Sequence, residues 1–118
     1  MHISELIGEY SIIGSNQDIS STEYSGTLKL KLNSDSKIVA EWTINKDQKQ
    51  FGLGFFKNNV LVINFYYIGD DDKKYKGIVV YKVLTPDILH GFWSEKLDNQ
   101  KYLGEERCFR IKKNKKLD

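Results

Sequence analysis

The sequence predicts an all-β protein, and three observations together predict an eight-stranded antiparallel barrel of up-and-down (meander) order. Apolar and polar residues alternate with a period of two along eight segments. Short clusters of Asn, Asp and Ser separate these segments, which is typical of hairpin turns. Of the nine glycines, only Gly69 lies in an evident turn, and the others fall inside the alternating segments. Because glycine weakens a flat strand, its repetition here indicates a sheet that coils strongly and closes on itself.

The strands follow from this alternation in chain order. They are predicted near 6–14, 22–32, 37–45, 49–57, 60–68, 74–84, 88–95 and 102–112. The segment 16–22 is predicted as a Ser-rich loop rather than a short helix. Strands joined by short loops are antiparallel neighbours, and pairing the first strand with the last removes the two exposed edges of an open meander. One barrel domain is therefore expected over 1–112, followed by a basic tail over 113–118.

Two turns predict the strand register. If Asn58-Asn59 is a two-residue hairpin loop, Lys57 faces Val60. The pairs that follow are Phe56 with Leu61, Gly54 with Ile63 and Gly52 with Phe65. A three-residue loop at 85–87 gives the pairs Leu84 with Ile88, Tyr81 with Gly91 and Val79 with Trp93. Glycines thus gain bulky cross-strand partners, which is a recognised way to cover them.

Five aromatic residues fall on the inward side of this register, namely Tyr10, Tyr24, Trp42, Tyr81 and Trp93. Tyr and Trp side chains often line small ligand pockets, because each combines an apolar ring with a polar group. A packed core is the other interpretation. The facing glycines either leave room for a ligand or accommodate the rings, and the sequence leaves both open.

The same register places a large apolar set on the outer face of the fourth to seventh strands. Its members are Phe51, Leu53, Phe55, Val60, Val62, Ile78, Val80 and Phe92. A contiguous surface of this kind indicates an interface with a second copy or with another protein. The alternatives are a one-residue register slip, which exchanges the two faces, and cover by a chain terminus.

No arrangement for catalysis or for metal or cofactor binding is evident. His90 is expected to point outward beside Lys82, and Cys108 is expected to be a small strand residue. Glu105 and Glu106 alternate across their strand, so they do not form a pair on one face. Asp70-Asp71-Asp72 lacks the spacing of a calcium loop and is expected to be solvated. The sequence therefore predicts a non-enzymatic protein; an enzyme at the barrel mouth would require converging loop residues that no motif identifies.

Charge and composition limit the partners. The formal net charge is +2, and the basic excess is confined to the C-terminal lysines, so no nucleic-acid partner is expected. No segment is long and apolar enough to span a membrane, and no signal peptide is evident. A single cysteine excludes an intramolecular disulfide. The cytoplasm is the default expectation, with export after signal removal left open.

Three features resemble the calycin group of barrels, the lipocalin and avidin-like folds. Gly8-Glu9-Tyr10 is similar to the Gly-X-Trp that opens lipocalin barrels. Residues 89–93, Leu-His-Gly-Phe-Trp, are similar to an L-x-G-x-W strand of avidin-like barrels. By the same resemblance, Arg107 or Arg110 is expected to lie across the first-strand aromatic. More closely, the motifs at 8–10, 24–26, 42–44, 52–54 and 89–93 resemble small bacterial proteins of unknown function, a likeness that implies a fold and no activity.

The sequence as a whole predicts a binding module. The leading hypothesis is association with a protein partner, most concretely a homodimer, through the outer face of the fourth to seventh strands. The alternative is a carrier of a small apolar ligand inside the aromatic-lined barrel.

Overall fold

A computed structural model of the chain describes residues 1–98 and 100–112. Eight strands form a closed barrel in sequence order, each antiparallel to the next, and β1 pairs with β8 to complete it. The strands are β1 Gly8–Ser15, β2 Glu23–Leu32, β3 Ile38–Ile44, β4 Gln48–Lys57, β5 Val60–Ile68, β6 Lys74–Thr85, β7 Ile88–Glu95 and β8 Gly104–Arg110. The predicted fold is confirmed. The expected basic tail, 113–118, lies outside the described residues.

One difference from the predicted strands is a short helix at the start of the chain. Residues Ile3–Leu6 form a 3-10 helix, and β1 begins only at Gly8. Glu5 caps this helix by accepting a hydrogen bond from the backbone N–H of His2 at 2.7 Å. Gly8 has a φ of +143°, a conformation that L side chains rarely adopt, so glycine permits the change of direction from helix to strand.

The hairpin at Asn58-Asn59 has the predicted register. Both asparagines have positive φ, 52° and 63°, as a two-residue type I′ turn requires. Lys57 pairs with Val60, and the three further predicted pairs of β4 with β5 are present. The turn chemistry therefore sets which side chains of these strands face inward.

The β6–β7 hairpin differs from its prediction at the turn. Thr85, rather than Leu84, pairs with Ile88, and the register shifts between Val83 and Thr85. The irregularity absorbs one residue and leaves Pro86-Asp87 as a two-residue loop. Beyond it the predicted pairs Tyr81 with Gly91 and Val79 with Trp93 are present, because the extra residue affects only the end of the ladder.

Side chains alternate between the barrel interior and the solvent along every strand. The 3-10 helix covers one end of the barrel, and Leu6 of that helix is fully buried in the core. The other end of the barrel opens beside the loop 16–22, which forms bends and turns rather than a helix, as predicted. Gln17 holds this loop against β7 by accepting a hydrogen bond from the backbone N–H of Glu95 at 2.7 Å. No helix in the described part of the chain is long and apolar enough to cross a membrane.

Candidate functional site

The covered end of the barrel is organised around Arg110. Its guanidinium carbon lies 4.9 Å from the centre of the Tyr10 ring, so the predicted arginine over the first-strand aromatic is present. The arginine is Arg110, while Arg107 is exposed on the opposite face of β8. This packing agrees with the calycin-like resemblance.

Arg110 also joins three segments of the chain through hydrogen bonds. Its Nη1 donates to the carbonyl of Ile7 at 2.8 Å and its Nε to Asp87 at 2.8 Å. The Tyr10 hydroxyl lies 2.9 Å from the carbonyl oxygens of Leu6 and Pro86. Tyr10 is therefore fully buried in this end, and it does not line the cavity described next.

A cavity of about 350 Å³ occupies the open end of the barrel. Four of the five aromatic residues predicted for the interior line it, namely Tyr24, Trp42, Tyr81 and Trp93. Phe65 and Tyr67 complete the aromatic wall, and Phe65 makes edge-to-face contacts with Trp42 and Trp93 at centroid distances of 6.1 and 6.3 Å. The interior is thus filled by side chains at the covered end and hollow at the open end, while a ligand role for these residues stays a prediction.

A buried carboxylate, Glu106 of β8, lies at the base of this cavity and is 5% exposed. The Tyr24 hydroxyl donates to its Oε2 at 2.7 Å, and the Tyr81 hydroxyl donates to its Oε1. Each tyrosine oxygen in turn accepts an indole N–H, from Trp93 at 2.9 Å and from Trp42 at 3.1 Å. Two Trp–Tyr chains therefore converge on one carboxylate and hold four cavity rings in fixed positions.

Two glycines make this convergence possible. Gly14 of β1 pairs with both Tyr24 and Glu106, and Gly91 of β7 pairs with both Tyr81 and Glu106. Each tyrosine therefore crosses a glycine to reach the carboxylate two strands away. A methyl group on Gly14 would lie 2.3 Å from Cζ of Tyr24, and one on Gly91 would lie 2.5 Å from Cδ1 of Tyr81. A side chain at either position would displace the ring.

Burial controls the acid–base properties of the network. Desolvation raises the pKa of Glu106, although the hydrogen bonds from Tyr81 and Tyr24 oppose this. Burial and the neighbouring Glu106 raise the pKa of Tyr24 and of Tyr81 far above the usual tyrosine value. At the mouth, partial burial raises the pKa of Glu95, which accepts a hydrogen bond from the Tyr67 hydroxyl at 2.5 Å. Both tyrosines at the base therefore act as hydrogen-bond donors at neutral pH.

The sequence interpretation did not identify Glu106 as an interior residue. It established that Glu105 and Glu106 lie on opposite faces, but not which one faces inward. The signal was available in the spacing of β8, because Gly104, Glu106, Cys108 and Arg110 share one phase. Assigning Arg110 to the first-strand aromatic sets that phase and turns Glu106 inward.

The eight predicted interface residues all lie on the outer face of β4–β7. Five of them, Phe51, Leu53, Phe55, Ile78 and Phe92, are 40–53% exposed, and the three valines are half-buried. Cross-strand pairing joins Phe55, Val62, Val80 and Phe92 into one row across the four strands. The predicted apolar surface therefore exists, while its role as an interface stays a prediction.

The remaining polar candidates are separated. His90 lies on the outer face opposite Lys82 and 3.8 Å from Glu105, whereas Cys108 is buried in the interior. The two therefore do not form a nucleophile–base pair. Asp71 accepts hydrogen bonds from the Lys73 backbone and the Tyr75 hydroxyl in its exposed loop. Among the residues that the structure describes, no group of three or more His, Cys, Asp or Glu is placed to hold a metal ion.

These features define a class: a small, closed, antiparallel eight-stranded barrel with one covered end and one aromatic-lined open end. Solved structures of similar fold include EF1p2_mFAP2b bound to DFHBI, with a TM-score of 0.69, 16% identity, and coverage of 92% of this chain and 95% of that one. The redesigned beta barrel b11L5F_LGL has a TM-score of 0.70 and 13% identity, with coverage of 92% of this chain and 94% of that one. The redesigned beta barrel mFAP1 bound to DFHBI has a TM-score of 0.65 and 15% identity, with coverage of 92% of this chain and 96% of that one. No protein-family profile and no curated protein matches the sequence significantly.

Proposed function

We propose that this protein binds a small aromatic molecule in the open-end cavity. The observation that carries the proposal is the cavity itself, about 350 Å³ in volume and walled by aromatic rings. Small-molecule sites in proteins are typically concave, of roughly 300–1,000 Å³, and apolar with a few placed polar groups. The cavity favours the second of the two sequence hypotheses, a carrier of a small ligand, over association with a protein partner.

The rigidity of the cavity wall supports this function. Trp42 and Trp93 each donate to a tyrosine that itself donates to Glu106. Rings held in this way lose little conformational freedom when a ligand enters, and that lowers the entropic cost of binding. Their edges and faces remain available for offset or edge-to-face contact with another ring.

The comparisons also support a ligand. Two of the barrels of similar fold, EF1p2_mFAP2b and mFAP1, are solved bound to DFHBI. The likeness to them is one of fold at 15–16% identity, so it supports small-ligand binding as a function and does not identify the ligand.

Intrinsic tryptophan fluorescence tests the proposal directly. The chain has only two tryptophans, and both line the cavity. Titration with benzyl alcohol is expected to change the emission saturably, and native mass spectrometry of freshly purified protein is expected to detect any retained ligand.

A matched pair of variants separates the cavity from the surface. Gln50 faces the cavity mouth, and its neighbour Lys49 is exposed on the outer face of the same strand. Gln50→Phe is expected to narrow the mouth and weaken benzyl alcohol binding, while Lys49→Phe leaves it unchanged. Equal effects of the two variants, or a solid interior that no aromatic probe enters, would reject the proposed function.

A second candidate function is homodimerisation through the outer face of β4–β7. The row of Phe55, Val62, Val80 and Phe92 supports it, because contiguous exposed apolar surface is uncommon on monomers unless it serves binding. Two sheets pack face to face through apolar side chains, commonly with their strands within about 30° of each other. This candidate is independent of the cavity, which opens at the end of the barrel.

A further inference from the structure

The charges around the cavity are all of one sign. Among the described lining residues, Glu23, Glu95 and Glu106 carry carboxylates, and none is a lysine, arginine or histidine. Glu23 and Glu95 lie at the mouth and Glu106 at the base. The cavity is therefore negative along its depth, in a chain whose net charge is +2.

Within the described part of the chain, Glu106 has no cationic partner. The ion pairs found among the described residues join other carboxylates, all of them at exposed or half-exposed positions. A buried carboxylate without a counter-charge is costly, even when hydrogen bonds satisfy its oxygens. Arg110, the inward-facing cation of the same strand, is engaged at the covered end of the barrel.

The wall around this carboxylate consists of electron-rich rings. Trp42, Trp93 and three tyrosines line the cavity, and cations are attracted to the faces of such rings, most strongly to tryptophan. The Tyr24 hydroxyl adds a polar contact: it donates to Glu106 and accepts from the Trp93 indole, and its oxygen has a second lone pair for an N–H donor.

We propose that the ligand of the cavity is an organic cation, an aromatic amine or ammonium compound, recognised by the aromatic walls and the Glu106 carboxylate. This inference rests on the proposed function and specifies the ligand class. The ring of the ligand packs against Phe65 and the indoles, and its positive group lies toward the Tyr24–Glu106–Tyr81 base. The cation supplies the counter-charge that Glu106 lacks among the described residues.

Three probes of similar size and different charge test this inference on the wild-type protein. Benzylamine is a cation at neutral pH, benzyl alcohol is neutral and benzoate is an anion. Tryptophan fluorescence titrations are expected to give an affinity for benzylamine about tenfold higher than for benzyl alcohol, with benzoate the weakest. Equal or tighter binding of benzyl alcohol would overturn the cation inference and leave the proposed function standing. Failure of all three probes to bind would instead contradict the proposed function.

A pair of charge-neutralising variants locates the source of the preference. Glu106→Gln is expected to remove most of the tenfold preference for benzylamine, measured as the ratio of the benzylamine and benzyl alcohol affinities within the same variant. Glu105→Gln removes the same charge one residue away, on the outer face, and is expected to leave the preference intact. If Glu106→Gln keeps the preference for benzylamine, the preference arises from the rings or the mouth carboxylates, and the role given to Glu106 is overturned. Should Glu106→Gln fail to fold, the three-probe comparison on the wild type still decides the ligand class.

Discussion

Glu106 and Arg110 project from the same face of β8 but form hydrogen bonds at opposite ends of the barrel interior. They are four positions apart in the chain, a distance of about 13 Å along a strand. Cys108 lies between them and is fully buried. The two opposite charges are therefore not paired, and each organises its own end: Arg110 joins the 3-10 helix to the barrel, and Glu106 positions the cavity rings.

The stability of the protein should depend on pH through Glu106. Because burial raises the folded-state pKa of Glu106, the folded protein holds this proton more tightly than the unfolded chain does. Stability falls with rising pH wherever the folded state binds more protons. The decline is expected from about pH 4.3, the usual glutamate pKa, up to the raised folded-state pKa, and its steepest slope is about 1.4 kcal/mol for each pH unit.

Urea unfolding at a series of pH values, followed by tryptophan fluorescence, measures this effect. Glu106→Gln should lack this part of the decline, whereas Glu105→Gln should retain it. The raised pKa of Glu95 contributes in the same direction in all three proteins, so it cancels in the comparison. Parallel stability curves for wild type and Glu106→Gln would contradict the prediction.

We expect that position 14 requires glycine because the Tyr24 ring lies directly against it, and not because of its backbone conformation. Gly14→Ala places a methyl group 2.3 Å from Cζ of the Tyr24 ring, and we expect a loss of about 1–3 kcal/mol in the free energy of unfolding, typical of overpacking. Truncating the ring by Tyr24→Ala removes the clash, so Gly14→Ala should cost much less in that background. Denaturant unfolding of the four proteins in this double-mutant cycle measures the coupling. If the two losses in free energy of unfolding simply added in the double mutant, the Tyr24 ring would not be the reason that position 14 requires glycine.

Arg110→Lys should destabilise the covered end. Lysine cannot reproduce the forked donation to Ile7 and Asp87, so we expect a loss of about 2–4 kcal/mol in the free energy of unfolding. The control Arg107→Lys, exposed on the same strand, should change stability by less than about 0.5 kcal/mol. Thermal or urea unfolding gives both values. Equal effects of the two substitutions would refute the role assigned to Arg110.

Val62→Lys tests the second candidate function. Val62 lies in the row between Phe55 and Val80, so a lysine there should prevent association of two outer faces and convert a dimer into a monomer. Thr27→Lys, on the exposed face of β2, is the matched control and should leave the mass in solution unchanged. Light scattering during size-exclusion chromatography measures the mass. A wild-type protein that is monomeric at high concentration would rule out homodimerisation.

Much of the barrel was predictable from short-range patterns. Alternation with a period of two identified all eight strands, and Asn58-Asn59 predicted the β4–β5 register because asparagine tolerates the positive φ of a type I′ turn. The 3-10 helix at Ile3–Leu6 and the shift near Leu84 were not predicted. Neither has a periodic signal: the helix is only four residues long, and the shift affects one residue at a turn.

By itself, the sequence determined the strands, their order, the register of β4 with β5, that of β6 with β7 beyond the turn, and the outward position of the apolar row. All of these depend on residues near each other in the chain. Only the tertiary structure decided which half of the interior is hollow and what lies at its base. Closing β1 against β8 places Gly14 beside Glu106 and brings the Tyr24 hydroxyl to a carboxylate 82 positions away. The burial that raises the pKa of Glu106 is likewise a property of the closed barrel, since no single strand excludes water from that carboxylate.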